Sequence, residues 1–373
     1  MVLDTKLLLD ILIALGVALV ISFAATPVIK AFAQKVGAID VPRDARRVHD
    51  HPIPRMGGLA IFLGFVLSVV LFVEISKPVQ GILLGAVLIV IVGALDDILN
   101  LPAWVKLLFQ IIAAVIAVLH GIVIETFTNP FIFGNMERLP LNGFSIPVTI
   151  VWIVIITNSV NLIDGLDGLA AGVSSISGLT MLIIALLVAD RNVALLLAAL
   201  VGACIGFLPF NFNPAKIFMG DTGALLLGYV LSTASILGLF KFYAVVSFAV
   251  PFLVLAVPIF DTLFAIFRRL CKGQNPLKPD RGHFHHRLID MGFNQKQTVA
   301  ILYILNALLG LSAVIMTANS KFKVLILIVS FCLALAVVGF LMLSHHSSGH
   351  THAGKGADQA ASGDEKGDGG SHA

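Results

Sequence analysis

Apolar runs of 15 to 24 residues recur from one end of this chain to the other, each closed by a short polar segment. An apolar run of that length needs either lipid or a very large core around it, and so many in 373 residues leave only lipid. Charged residues make up 12% of the chain against 58% hydrophobic, where soluble domains carry roughly 25% charged. The expected fold class is an all-α polytopic membrane protein with about eleven transmembrane helices. The expected spans are 7–26, 57–74, 80–95, 105–124, 148–162, 169–189, 193–210, 222–240, 244–267, 298–316 and 323–343. The fifth is short for a span unless the helix runs into its loop or the membrane thins. The first has Asp4 and Asp10 in front of or within it and is long for a signal sequence, so it reads as a retained span.

Alternating the loops between two faces gives one face 17 of the 24 Lys and Arg residues. The positive-inside rule places that face in the cytoplasm, with the N-terminus outside and the C-terminus inside. Residues 1–343 read as one transmembrane domain, with an external loop at 125–147 that has hairpin signals and a cytoplasmic His-containing loop at 268–297. Residues 344–373 hold no apolar side chain larger than Ala and read as a disordered His-rich tail. Cys204, Cys271 and Cys332 lie far apart, which argues against a disulfide or zinc framework. No basic arm of the nucleic-acid-binding kind is present.

The polar clusters all fall on the basic face. Asp96 and Asp97 close the third span, followed by Lys106 and Gln110; Asn161, Asp164 and Asp167 follow the fifth in NLIDGLDGLAAG. Asn211, Asn213, Phe218 and Asp221 lie in NFNPAKIFMGDTG after the seventh span, and Asp261 lies in the ninth. Arg55, Gly57 and Gly58 end HDHPIPRMGG, and His283, His285, His286 and Arg287 form DRGHFHHRL. A carboxylate at the rim of a bilayer is costly and marks a functional candidate. Hard oxygen ligands suit Mg²⁺ or Mn²⁺, and Mg²⁺ suits phosphates. Each cluster also has a structural reading: Asp164 and Asp221 as helix caps, the histidines as a transition-metal site, Arg46 and Arg47 as topology determinants. Those readings leave unexplained why every cluster shares one face. A transporter with intramembrane acids is the rival class; it calls for acids near the midplane and an internal repeat, and neither is evident.

In this order, HDHPIPRMGG, GALDD, NLIDGLDGLAAG, NFNPAKIFMGDTG and DRGHFHHRL resemble the polyprenyl-phosphate N-acetylhexosamine-1-phosphate transferases over roughly residues 10–343. The histidine motif is similar to that of the WecA/TagO branch, and MraY is a more distant relative. The resemblance implies a Mg²⁺-dependent enzyme of the bacterial cytoplasmic membrane. It would pass GlcNAc-1-phosphate, or that of another N-acetylhexosamine, from a UDP-sugar to undecaprenyl phosphate and release UMP. It implies catalytic roles for Asp96, Asp97, Asp164 and Lys106, and metal binding by Asp221 and Asp97. One Asp of the pair would deprotonate or orient the lipid phosphate, and a covalent aspartyl route stays open. Asn161 would line the phosphate region, and Asp167, Asn211 and Phe218 would meet the uracil. His283, His285, His286, Arg287 and Arg55 would contact substrate, and Gly57 and Gly58 would let the first cytoplasmic loop approach. The prenyl chain would lie near the ninth helix, where Pro251 and Pro258 fit a bend or break. Homodimerisation is the family-based expectation.

Overall fold

A computed structural model of the chain describes residues 5–42, 51–128, 138–188, 190–240, 249–271, 284–318 and 329. Among them seven helices, some with an adjoining turn, are long and apolar enough to cross a membrane. These are α1 (Thr5–Val36), α3 (Lys77–Leu99), α5 (Ser145–Ile163), α6 (Leu169–Leu187), α7 (Arg191–Asn211), α8 (Gly220–Ser235) and α12 (Gln295–Ala318). Two shorter apolar helices, α2 (Gly58–Phe72) and α4 (Ala103–Leu119), belong to the same bundle. The protein is a polytopic all-α membrane protein. Its lipid-facing side is apolar, with Leu12, Val20, Leu84, Ile91, Leu108 and Ile304 all exposed. The expected span at 323–343 except residue 329, the tail from 344 and residues 272–283 of the His loop lie outside the described residues.

Helix α8 is buried on every side: each residue from Thr222 to Ser235 is enclosed, as its all-round apolar sequence requires. Helices α3 and α5 flank it, and α2 crosses its start. Outside this core α1 packs on α7 through Gly202 and Gly206. A Cβ at either would lie within 2.3 Å of the Leu15 or Leu19 carbonyl oxygen. In lipid, where apolar burial gives helices no reason to associate, such close backbone contact is what holds them together.

Two expectations change, and a third, the bend or break at Pro251 and Pro258, takes a definite form. The first helix runs on through Pro27 to Val36, and its 32 residues reach about 48 Å, so its end stands clear of an apolar layer of about 30 Å. The fifth reaches 19 residues by starting at Ser145 directly after a turn at Asn142–Phe144, which removes the need for a thinned membrane. The ninth is two helices, α9 (Ala249–Val254) and α10 (Ala256–Cys271). Pro258 has no N–H to give the Val254 carbonyl, and the Ser177 hydroxyl of α6 donates to it instead, at 2.7 Å. Asn306 of α12 in turn donates to Ser177 Oγ.

The loops are small. Strand β1 (Ile39–Asp40) pairs antiparallel with β2 (Ile53–Pro54), and β3 (Thr126–Thr128) pairs with β4 (Arg138–Pro140) inside the expected loop 125–147. A short helix α11 (Phe284–Asp290) precedes α12; its Phe284 amide donates to Asp261 Oδ1, which ties it to α10.

Candidate active site

Adjacent residues on a helix diverge by about 100°, so Asp96 and Asp97 at the end of α3 face different neighbours. Asp96 turns to α4: its Oδ2 lies 3.2 Å from Lys106 Nζ, and its Oδ1 accepts from the Leu101 amide beyond the helix. Asp97, 2% exposed, turns to α8. Its carboxylate accepts from the amides of Asp221 (3.0 Å) and Thr222 (3.1 Å) and from the Thr222 hydroxyl. It caps a helix it does not belong to, satisfying amides that a helix start leaves without partners. Asp97, expected as a metal ligand, borders the cleft while its carboxylate also accepts from α8.

Asp221, in the first turn of α8, is the centre of the arrangement. Lys106 Nζ lies 2.6 Å from its Oδ2, and Asn161 Nδ2 of α5 donates to its Oδ1 at 3.0 Å. Three helices thus converge on one carboxylate. Asp164, in the loop beyond α5, lies beside it and receives no hydrogen bond from any described residue. Burial raises its pKa to about 8, and the charges of Asp221, Asp97 and Asp167 push the same way.

These groups line a cleft of about 450 Å³, a size that ligand sites commonly have. Asp97, Asn161, Asp164, Asp167, Asn211, Phe218, Asp221, Arg55 and His286 all border it. Two of them are also joints. Asp167 accepts from Asn213 Nδ2 and the Ala215 amide, and Asn211 accepts from the Gly168 amide while donating to the Ile217 carbonyl. Together they lock the loop after α5 to the loop after α7. Arg55 donates to the Asp97 carbonyl and to Asn100 Oδ1, fixing the end of α3.

Other expected site residues stand elsewhere. Gly57 and Gly58 do not border the cleft: their amides donate to the Phe218 and Met219 carbonyls, and a Cβ on Gly58 would lie 2.1 Å from the Gly223 nitrogen. Gly58 lets α2 meet the start of α8, and Gly57 lets the first loop close on Phe207 and on the carbonyl of Phe218, which borders the cleft. His285 is buried beneath the cleft wall against Gly165, off the lining, while His286 faces in. Arg287 lies over the Phe264 ring at 4.7 Å. Asp96 and Lys106 sit one layer behind the lining. His283 lies outside the described residues. Thr222, Gln295, Asp40 and His51 were not singled out beforehand. Thr222 bonds Asp97 and the others border the cleft, and no spacing in the sequence points to them.

The donor set is hard oxygen, and an ammonium already bridges Asp96 and Asp221, so the site calls for positive charge. Among the described residues no three His, Cys, Asp or Glu side chains form a closed metal cage. The carboxylates of Asp221 and Asp164 at the cleft are of the donor type Mg²⁺ takes, one or two per ion with water and phosphate in the other positions.

A membrane bundle with an acidic cleft at one end defines a class, and comparison with known proteins narrows it. Residues 79–239 match the model of glycosyl transferase family 4. The chain is 40% identical to a probable undecaprenyl-phosphate N-acetylglucosaminyl 1-phosphate transferase of Bacillus subtilis (strain 168), over 90% of this chain and 94% of that one. It is 32% identical to the undecaprenyl-phosphate alpha-N-acetylglucosaminyl 1-phosphate transferase of Thermotoga maritima, over 85% and 93%. It is 35% identical to the decaprenyl-phosphate N-acetylglucosaminephosphotransferase of Mycolicibacterium smegmatis, over 77% of each. The chain belongs to the polyprenyl-phosphate N-acetylglucosaminyl 1-phosphate transferase family.

Proposed function

We propose that the protein transfers GlcNAc-1-phosphate from UDP-GlcNAc to undecaprenyl phosphate, forming undecaprenyl-diphosphate-GlcNAc and UMP. The observation that carries this reading is the pair of cleft carboxylates, Asp221 held by Lys106 and Asn161 and Asp164 without a donor among the described residues, at one end of a lipid-facing bundle in a member of this family. An oxygen of the lipid phosphate attacks the phosphorus that bears the sugar. The bond from that phosphorus to the bridging oxygen breaks, and UMP leaves with that oxygen. Little covalent chemistry falls to the protein in such a transfer; positioning and charge neutralisation carry it.

Asp221 and Asp164, with the Asn161 amide oxygen, would hold Mg²⁺, which when bound neutralises diphosphate charge. Lys106 holds Asp221 in its aimed position. Asp97 holds the first turn of α8, and with it Asp221, in place. His286 and Arg55 face the anionic part of the donor, and Phe218 and Asp167 face its base. Eleven spans with the cleft and C-terminus in the cytoplasm, in a bacterial cytoplasmic membrane, complete the reading.

The test uses purified protein in detergent with undecaprenyl phosphate, Mg²⁺ and a panel of UDP-sugars, following UMP release. UMP appears with UDP-GlcNAc, stops with EDTA, and falls at least about a hundredfold in Asp221→Asn. Folded wild-type protein that releases UMP from no UDP-sugar overturns the reading. Release from a different UDP-sugar alone overturns the donor assignment.

A further inference from the structure

We infer that Gln110 and Asn158 form a positioning pair that sets the register of α4 against α5, so that Lys106 and Asn161 arrive together at Asp221. Helix α4 touches the bundle through a narrow face: its buried residues are Gln110, Ala113, Ala114 and Ala117. An alanine stripe allows close approach but offers no knob to stop one helix sliding or turning on another. Lipid does not help, because a lipid-exposed helix gains nothing by choosing one apolar contact over another. What can fix the register is a polar tie, and among the described residues one joins α4 to α5. Asn158 Nδ2 donates to Gln110 Oε1, and Gln110 Nε2 reciprocates toward Asn158 Oδ1 at 3.4 Å. Gln110 is 2% exposed, and Asn158 also donates to the Val154 carbonyl of its own helix at 2.8 Å.

The location of the tie gives it a function. Gln110 lies four residues after Lys106 on α4, and Asn158 lies three before Asn161 on α5, so each amide stands one turn from a residue that bonds Asp221 on the same helix face. The three helices are therefore joined pairwise: α4 to α8 by Lys106–Asp221, α5 to α8 by Asn161–Asp221, and α4 to α5 by the amide pair. Without the third tie, α4 keeps its contacts to α3 at Asp96 and to α8 at Asp221 and Tyr229 but has no polar hold on α5, so Lys106 and Asn161 lose their common setting at Asp221. A misplacement of about 1 Å at a reacting centre costs up to about a hundredfold in rate. Neither amide borders the cleft, so substrate affinity is not what they set.

The inference rests on the transferase reading, and the experiment separates the two. Wild type, Gln110→Met, the apolar double variant Gln110→Met/Asn158→Leu and the swapped pair Gln110→Asn/Asn158→Gln are purified in detergent. Each is measured for kcat, for KM of UDP-GlcNAc and for thermal midpoint. Gln110→Met is expected to lose about tenfold to a hundredfold in kcat, with KM within about twofold of wild type. The double variant leaves no amide unsatisfied and keeps the fold, yet shows the same loss. The swapped pair keeps two reciprocal amides and recovers most of kcat. Wild-type kcat in a folded double variant overturns the inference, as does a rise in KM at unchanged kcat. Failure of both apolar variants to fold makes the pair a fold determinant and withdraws the positioning role. Absence of turnover in wild type condemns the transferase reading instead.

Discussion

Asp164 lacks a donor while every other acid around it is bonded, and its titration follows from that. Its folded-state pKa is raised from 3.8 to about 8 by burial and by three neighbouring carboxylates. Between those values the native protein binds a proton that the unfolded chain has given up. The stabilisation is full below pH 3.8 and is lost as pH rises through about 8. Metal-free protein should therefore lose thermal midpoint by several degrees between pH 6 and pH 9, measured by differential scanning fluorimetry in detergent. Asp164→Asn should flatten that fall. Mg²⁺ at pH 9 should restore the wild-type midpoint and leave the variant unmoved, since a ligand stabilises only the state that binds it. A midpoint that rises with pH in wild type would mean that the carboxylate is ionised throughout.

Among the elements, the break between α9 and α10 deserves a physical account because α10 carries Asp261, which holds the start of α11 and so presents His286 to the cleft. Pro258 takes away the N–H that would close the helix, and a carbonyl left open in a bilayer is costly. Ser177 supplies the missing donor. Ser177→Ala removes it and should lower stability by about 1 kcal/mol, the scale of interhelical hydrogen bonds in membranes. It should lower kcat by less than about tenfold, because Asp221 and its three partners are untouched. A loss as large as that of Asp221→Asn would tie the break to the chemistry itself. The existence of most helices and the clustering of the acids were legible in the sequence, because apolar length and polar punctuation are local signals. The break was foreshadowed by Pro251 and Pro258, but not its partner. Likewise GDTG marks the start of α8, yet nothing local says that Asp97, 124 residues earlier, caps it, or that Gln110 meets Asn158 across 48 residues. Such pairings exist only once the bundle is packed. For the same reason nothing local says that Gly58 serves α2 against α8.

At the scale of the whole molecule, the two ends of the bundle differ in kind. The end of α3 with Asp96 and Asp97, the loop with Asp164 and the start of α8 with Asp221 together form the cleft, whereas the far end holds the α2–α3 turn and the start of α7. A nucleotide-sugar carries too much charge to cross a bilayer unaided, so the proposed function calls for a cleft that opens where such donors are made. The distribution of 17 of 24 basic residues to the cleft side argues for the same face. Glu74, between α2 and α3, and Lys216, in the loop before α8, are both exposed and lie at opposite ends. In a chain with Cys204, Cys271 and Cys332 replaced by Ala, Glu74→Cys should react with a membrane-impermeant maleimide in intact spheroplasts. Lys216→Cys should react only after lysis, and UMP release by the lysate shows that the labelled protein is native. Labelling of Lys216→Cys before lysis would open the cleft to the outside, beyond reach of a cytoplasmic donor, and the transferase orientation would fail with it.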